Sequence, residues 1–447
     1  MSRAVVVTLA ACILLLTGAR ARAEDTTPAT PLTFTEAVST ALAHNPSVRE
    51  ASSRTAGVRA SSEQAQAALR PQVRLDSRYT MLSRVPEIAV MPGQPPFSLT
   101  QKNTLLTTVS AQQVLYSGGR LGALVRQASD LTHAAEANAE RARELVVYGA
   151  ERAFLLLVAA QRRSGVAQQT LTDAQEHLRV AQVRLDARAV PQFDVTRAEV
   201  QVQEALQGVI DAQTEIETTH AALLDALGLP NGHFTALETG LFGLTPVPAP
   251  DTLVQLAQIS RPEIRAFSWQ VRSSEAAIQV AKGERKPTVS LNADYQMVSP
   301  QSPSQIDRLE LAAVASLPVW DGGTARAKMR AAEAQRAETL AAQDSLRNEV
   351  SKEVRQAYAE VQSAVAQIAV AQKRVQQAEE LARIAIVRYD AGVNTAMEVA
   401  DAQTQLTQAR LGLTRALTSW GVASADLRLA VGAPIPAVDT KNVEGSR

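Results

Sequence analysis

The chain has 447 residues with 45 basic and 45 acidic side chains, so its formal net charge is zero and it has no polybasic footprint for nucleic acid. Aromatic residues make up only 4% while alanine is abundant, which favours long, closely approaching helices over a thick aromatic core. His44, His133, His177, His220 and His233 are scattered without metal-ligand spacing, no glycine-rich phosphate loop follows a strand, and no nucleophile–base set stands out; an enzyme, a cofactor and a metal are not expected.

The chain opens on an export signal, predicted over residues 1–23. Arg3 precedes an apolar run from Ala4 to Leu16, and Ala21-Arg22-Ala23 fits a small-x-small cleavage site. Leu9-Ala10-Ala11-Cys12 also resembles a lipoprotein cleavage box, which would leave an acylated Cys12. Cys12 is the only cysteine, so cleavage after Ala23 leaves a mature chain without thiol or disulfide chemistry. No later stretch reaches the roughly 18–20 apolar residues of a transmembrane helix.

A first structural repeat is expected over 24–228. It opens with a helix from about Thr35 to Leu69 that Asn45-Pro46 should break early, because proline disfavours helix before it and removes a donor. Strands are predicted over about 72–85 and 104–116, joined by the loop Pro86–Lys102. In the first, Val73, Leu75, Tyr79 and Met81 alternate with Arg74, Asp76, Arg78 and Thr80. One apolar and one polar face suits a half-buried soluble sheet, and equally a membrane barrel that is apolar outside and wet inside. Gly118-Gly119 should turn the chain into a helix over about 120–186. After a turn near Arg188–Pro191 a second helix returns over about 193–228.

The chain then repeats itself. Asn45-Pro46 answers Arg261-Pro262 and Arg70-Pro71 answers Lys286-Pro287 at a constant offset of 216 residues (46 to 262, 71 to 287). Gly118-Gly119 answers Gly322-Gly323, and Leu227-Gly228 answers Val431-Gly432, at a second offset of 204 (118 to 322, 228 to 432). A constant offset with one change means a duplicated unit with one loop of variable length. A linker over 229–250 therefore joins the first repeat to a second over 251–432. This has strands at about 288–298 and 308–320 and helices at about 324–391 and 397–431, followed by a tail over 433–447. Residues 324–391 lack Gly and Pro, and Val354, Tyr358, Val361, Val365, Ile368 and Val375 trace a coiled-coil seam. Four such strands cannot close a barrel, and lipid does not tolerate an open edge. Membrane insertion would therefore require self-association: two copies would give eight strands, nearly filled by side chains, and three would give twelve with room for an aqueous lumen, which favours three or more copies.

The ordered set of Asn45-Pro46, the paired Arg70-Pro71 and Lys286-Pro287, the paired Gly-Gly corners, and Arg388-Tyr389-Asp390-Ala391-Gly392 followed by Glu398-Val399-Ala400-Asp401-Ala402 resembles the TolC-like family of outer membrane efflux proteins over about residues 32–432. The resemblance implies a mainly α fold with a membrane β-barrel, built from a duplicated helix–strand–strand–long helix–helix unit. A homotrimer would form a 12-stranded barrel in outer membrane lipid and a long α-helical coiled-coil tunnel across the periplasm of a Gram-negative bacterium. The tunnel tip would dock on a periplasmic adaptor protein, with an inner-membrane pump or ABC transporter supplying energy. By position, Glu398 and Asp401 would form acidic rings at the entrance, or simply be solvated acids at a helix N-terminus. Tyr389 and Asp194 would link neighbouring coils when closed, with Asn394 where the family has a basic residue; routine packing and capping are the plainer alternative. Arg184, Leu185, Arg188, Val190, Gly392 and Val393 would contact the adaptor, with Arg188 standing where the family usually has Gly. A periplasmic coiled-coil adaptor or scaffold is the rival reading.

Overall fold

A computed structural model describes residues 30–85, 87–88, 97–98, 101–237, 247–300 and 306–433. The expected signal segment with Cys12, and all but the first residue of the tail, lie outside these.

The first repeat opens with strand β1 (Thr30–Leu32) and helices α1 (Phe34–His44) and α2 (Pro46–Ala67). Thr33 and Glu36 cap α1 reciprocally, each side chain accepting the other's backbone N–H at 3.3 and 2.9 Å. Asn45 breaks the helix in extended backbone, accepts from the Ser47 N–H, and donates across to Ala226 O at 2.9 Å. Strand β2 (Gln72–Met81), a short antiparallel pair β3 (Glu87–Ile88) and β4 (Phe97–Ser98), and strand β5 (Asn103–Tyr116) follow. Next come the helices α3 (Arg120–Asp186) and α4 (Gln192–Leu227), and strand β6 (Phe234–Ala236), which pairs parallel with β1. The second repeat runs α5 (Pro250–Ser260), α6 (Pro262–Gly283), β7 (Thr288–Ser299), β8 (Arg308–Ser316), α7 (Thr324–Asp390) and α8 (Ala396–Val431). At 1.5 Å per residue α3 and α7 are each about 100 Å long. Among the described residues no helix is long and apolar enough to cross a membrane.

The four long strands form one antiparallel sheet in the order β2-β5-β7-β8. The offsets carry one hairpin onto the other without slip: Gln72 opposite Gln112 becomes Thr288 opposite Ser316. Two strands end earlier than their sequence predicts. β2 stops at Met81, not 85, because β5 begins opposite it at Asn103 and only the Leu82 N–H continues the ladder, to Lys102 O. β8 stops at Ser316, not 320, because β7 begins opposite it at Thr288 and Pro318 has no N–H to offer.

The corners Gly118, Gly119, Gly322 and Gly323 all have positive φ, between 63° and 90°, where a side chain would strain the backbone. Asp321 caps α7 beyond its corner, accepting from the N–H groups of Gly323 and Ala325 at 2.9 and 2.8 Å.

Each repeat has its own core, and the cores are copies. Val146, Ala150, Ala153 and Leu157 of α3 pack with Leu223 and Leu227 of α4. At the offset of 204, Val350, Val354, Ala357 and Val361 of α7 pack with Leu427 and Val431 of α8. The coiled-coil seam differs from its prediction. It runs Val354, Ala357, Val361, Ala364 and Ile368, while Tyr358 is partly buried and Val365 lies exposed. Alanine takes the inner positions because it lets two long helices approach closely.

Candidate functional site

Two regions carry features that the cores do not explain: the sheet, and the tip where each pair of long helices turns. On one face of the sheet Val73, Leu75, Tyr79 and Met81 of β2 align through β5 with Leu291, Tyr295 and Met297 of β7 and Leu309 and Leu311 of β8. These side chains are exposed, Val73 by 72% and Leu311 by 70%. The other face carries Arg74, Asp76, Arg78, Asn292, Asp294, Arg308 and Glu310. The edges β2 and β8 each have one ladder unpaired. An exposed apolar sheet face of this size needs lipid or another apolar surface against it.

At the tip, α3 ends at Asp186 and the chain passes through Arg188, whose φ of 58° is left-handed despite its side chain. In the second turn the equivalent bend falls at Gly392, with φ 74°. Arg184 crosses from α3 to the end of α7. Its Nη1 donates to Tyr389 O at 3.0 Å, its Nη2 pairs with Asp390 at 2.9 Å, and its guanidinium lies 4.1 Å over the Tyr389 ring. Arg184 therefore turns inward, and its polar head is already occupied rather than presented outward. The buried Tyr389 hydroxyl has no hydrogen-bond partner, and its ring lies against Arg184 and His177. Asn394 joins its turn through its backbone N–H to Arg388 O at 3.2 Å. Leu185 packs on the Ala181–Val195–Ala198 cluster. Arg188, Gly392 and Val393 are exposed and Val190 is partly so.

Glu398 forms a capping box with Thr395, accepting that residue's N–H at 3.1 Å. Its carboxylate stays exposed, as does Asp401 one turn on, so the two acids share one outward stripe of α8. Sequence reasoning missed an apolar set around them. Val183, Val387, Phe193 and Met397 are all more than half exposed. They are pairwise equivalent at the offset of 204, and that duplication of apolar residues outside the buried positions was the available signal.

His177 is buried against Tyr389. Burial, then the nearby Arg184 charge, push its pKa below the ordinary imidazole value of 6.5, with Asp194 opposing. The opened tip would bind protons more readily than the packed one. His177 therefore favours the packed tip fully above about pH 6.5, and the contribution fades as pH falls below that. Hydrogen exchange of tip peptides, corrected for intrinsic rates, should speed up severalfold between about pH 6.5 and 5. His177→Gln should flatten that profile.

The repeats are tied together midway along α3. Glu263 accepts from Arg261 Nη2 at 2.7 Å and from Arg141 Nε at 3.2 Å, and Arg261 also pairs with Glu353 at 2.6 Å. Arg428 reaches back to the buried Glu151 at 2.7 Å, and Arg265 pairs with Glu140. Burial raises the pKa of Glu144, which accepts from Arg141 in the same network. Among the described residues no three His, Cys, Asp or Glu side chains gather as a metal site.

A family model described as "Outer membrane efflux protein" matches residues 37–229 and 253–433. The outer membrane efflux protein BepC of Brucella suis biovar 1 (strain 1330) is 23% identical over 335 residues, covering 72% of this chain and 71% of BepC. The crystal structure of a membrane protein from Pseudomonas aeruginosa superposes with a TM-score of 0.79 at 22% identity, over 89% of this chain and 92% of that one. The outer membrane protein VceC of Vibrio cholerae does so with a TM-score of 0.74 at 20% identity, over 90% and 97%.

Proposed function

Because this chain belongs to the outer membrane efflux protein family, of TolC type, and so resides in the outer membrane, we propose that three copies close their sheets into a twelve-stranded barrel continued by a helical tunnel into the periplasm. The supporting observation is the sheet itself. It has four strands, two open edges, one apolar exposed face and one polar face. Three sheets give the smallest closed barrel of these that leaves a water-filled lumen. A soluble adaptor or scaffold would have to leave that apolar face in water.

Substrate enters at the helical tip and leaves through the barrel by passive conduction. The periplasmic adaptor docks on the tip, where Arg188, Val190, Gly392 and Val393 meet the apolar set Val183, Val387, Phe193 and Met397. An inner-membrane pump or ABC transporter behind it supplies the energy. Arg184 and Tyr389 hold the two coils together in the closed state, taking the role expected of Asp194 and Asn394. Glu398 and Asp401, repeated three times, form acidic rings that favour cations. Purified trimers in planar bilayers should be cation-selective, and Glu398→Ala with Asp401→Ala should cut that preference severalfold. Unchanged selectivity would return both acids to a purely capping and surface role.

A further inference from the structure

The strand that follows the first repeat rests on a histidine. β6 opens at Phe234, whose N–H donates to Nε2 of His220 in α4 at 3.0 Å. β1 takes the flanking groups: the Thr30 N–H donates to His233 O at 2.8 Å, and the Leu237 N–H to Leu32 O at 2.9 Å. The His233 ring stacks on that of His220, with centroids 5.8 Å apart and planes inclined by 16°. Leu32 and Ala236 are buried in the core of the first repeat, and Phe234 packs against it. The bond to His220 therefore helps to hold both short strands on that core.

An imidazole nitrogen accepts from a backbone N–H only while it carries no proton. The observed contact fixes His220 as the neutral ring with its hydrogen on Nδ1. A second proton has to enter at Nε2, where it would point at the Phe234 N–H. Two donors would then face each other at hydrogen-bond distance, and a new positive charge would stand beside His233. We propose that this contact is an acid-released latch: protonation of His220 at Nε2 frees Phe234, and with it the β1–β6 pair that opens and closes the first repeat.

The pair is short enough for one contact to decide its fate. β1 and β6 match over only three residue pairs, so loss of one strand N–H bond removes a large share of what holds them. The latch is also confined to the first repeat, since Ser424 stands at the position equivalent to His220 (220 to 424, offset 204).

No carboxylate offsets the added proton. β1 is Thr-Pro-Leu and β6 is Phe-Thr-Ala, without charge. On α3, Arg162 and Arg163 flank this level, and Arg163 is committed to Glu215 at 2.6 Å. On α1, Glu36 is tied to Thr33, and on α4 Glu217 is exposed one turn away. Burial, and then the charge of His233, push the pKa of His220 below the ordinary 6.5. The latch is thus whole above about pH 6.5 and is lost as the pH falls through the lowered value.

Hydrogen exchange of the full protein in detergent, corrected for intrinsic rates, reads the latch in peptides covering residues 30–32 and 234–236. Parent exchange there should rise severalfold between about pH 7 and 5. His220→Gln keeps an acceptor near the Nε2 position but takes no proton, and should stay slow throughout. His233→Gln should keep the response and move its midpoint upward, and His177→Gln should leave it untouched. A flat parent profile overturns the proposal, as does a response that persists in His220→Gln. Should that variant fail to fold, exchange at the imidazole C2 of His220 in the parent supplies its titration midpoint. Agreement of that midpoint with the rise in strand exchange supports the latch, and clear separation of the two overturns it.

Discussion

Glu263→Ala should lower stability by about 3–5 kcal/mol, the cost of leaving a buried charge without its partner. The Glu263 carboxylate lies between two guanidiniums, and that of Arg261 is only 3% exposed. Truncation leaves Arg261 facing Glu353 alone and Arg141 facing Glu144 alone, with one desolvated positive charge in excess. The Arg261 Nε already lacks a partner, so truncation adds to donors that are left unpaired. The exposed pair Arg54–Glu50, whose side chains are 74% and 70% exposed, is the comparison: Glu50→Ala should cost less than about 1 kcal/mol. Thermal unfolding in detergent, followed by circular dichroism, reads both. Equal, small shifts would mean that water reaches the Glu263 network and screens it.

Arg184→Ala should convert a mostly closed pore into a mostly open one. The variant loses a charge-assisted bond to Asp390, a bond to Tyr389 O, and the stacked contact with the ring. Asp390 is 60% exposed, so solvent discounts the ion pair, leaving about 1–2 kcal/mol per copy. Over three equivalent copies that multiplies to an opening equilibrium shifted by about 10²–10⁴-fold. Single-channel recording would show it as longer and larger openings. Arg184→Lys keeps the charge but not the planar fork, and should fall between the two. A closed, parent-like Arg184→Ala channel would remove Arg184 from the closed-state link.

The elements with strong periodicity were legible in the sequence. β2 and β7 alternate over most of their length, broken only at Ser77 and at Val298-Ser299, and each pair of long helices opens after one glycine and closes on another, Gly119 and Gly228, Gly323 and Gly432. What escaped has short or non-local causes. β1 and β6 are three residues each and meet across some 200 positions, too brief for any pattern. The coil seam hid at Ala357 and Ala364, because alanine is common everywhere in this chain and carries no contrast. β8 was read as longer than it is: its residues run on strand-like, but β7 begins at Thr288, so nothing in the described chain pairs with them beyond Ser316. At the tip, the contacts of Arg184 with the Tyr389 carbonyl and ring join residues 205 positions apart, and no local pattern announces them.

The charge network around Arg261 also sets the mechanics of the tip. Glu353 holds α7 at that network, and Asp390 ends the same helix 37 residues later, an arm of about 55 Å. A rotation of about 3° about this fulcrum displaces the far end by about 3 Å, as long as the hydrogen bonds of Arg184 themselves. The arm must be stiff to transmit so small an angle, and α7 has neither glycine nor proline over its length, whereas α3 carries Gly122, Gly149 and Gly165. The second repeat is thus built as the lever and the first as the more compliant member, so torque applied at the Arg261 network is carried to the tip through α7.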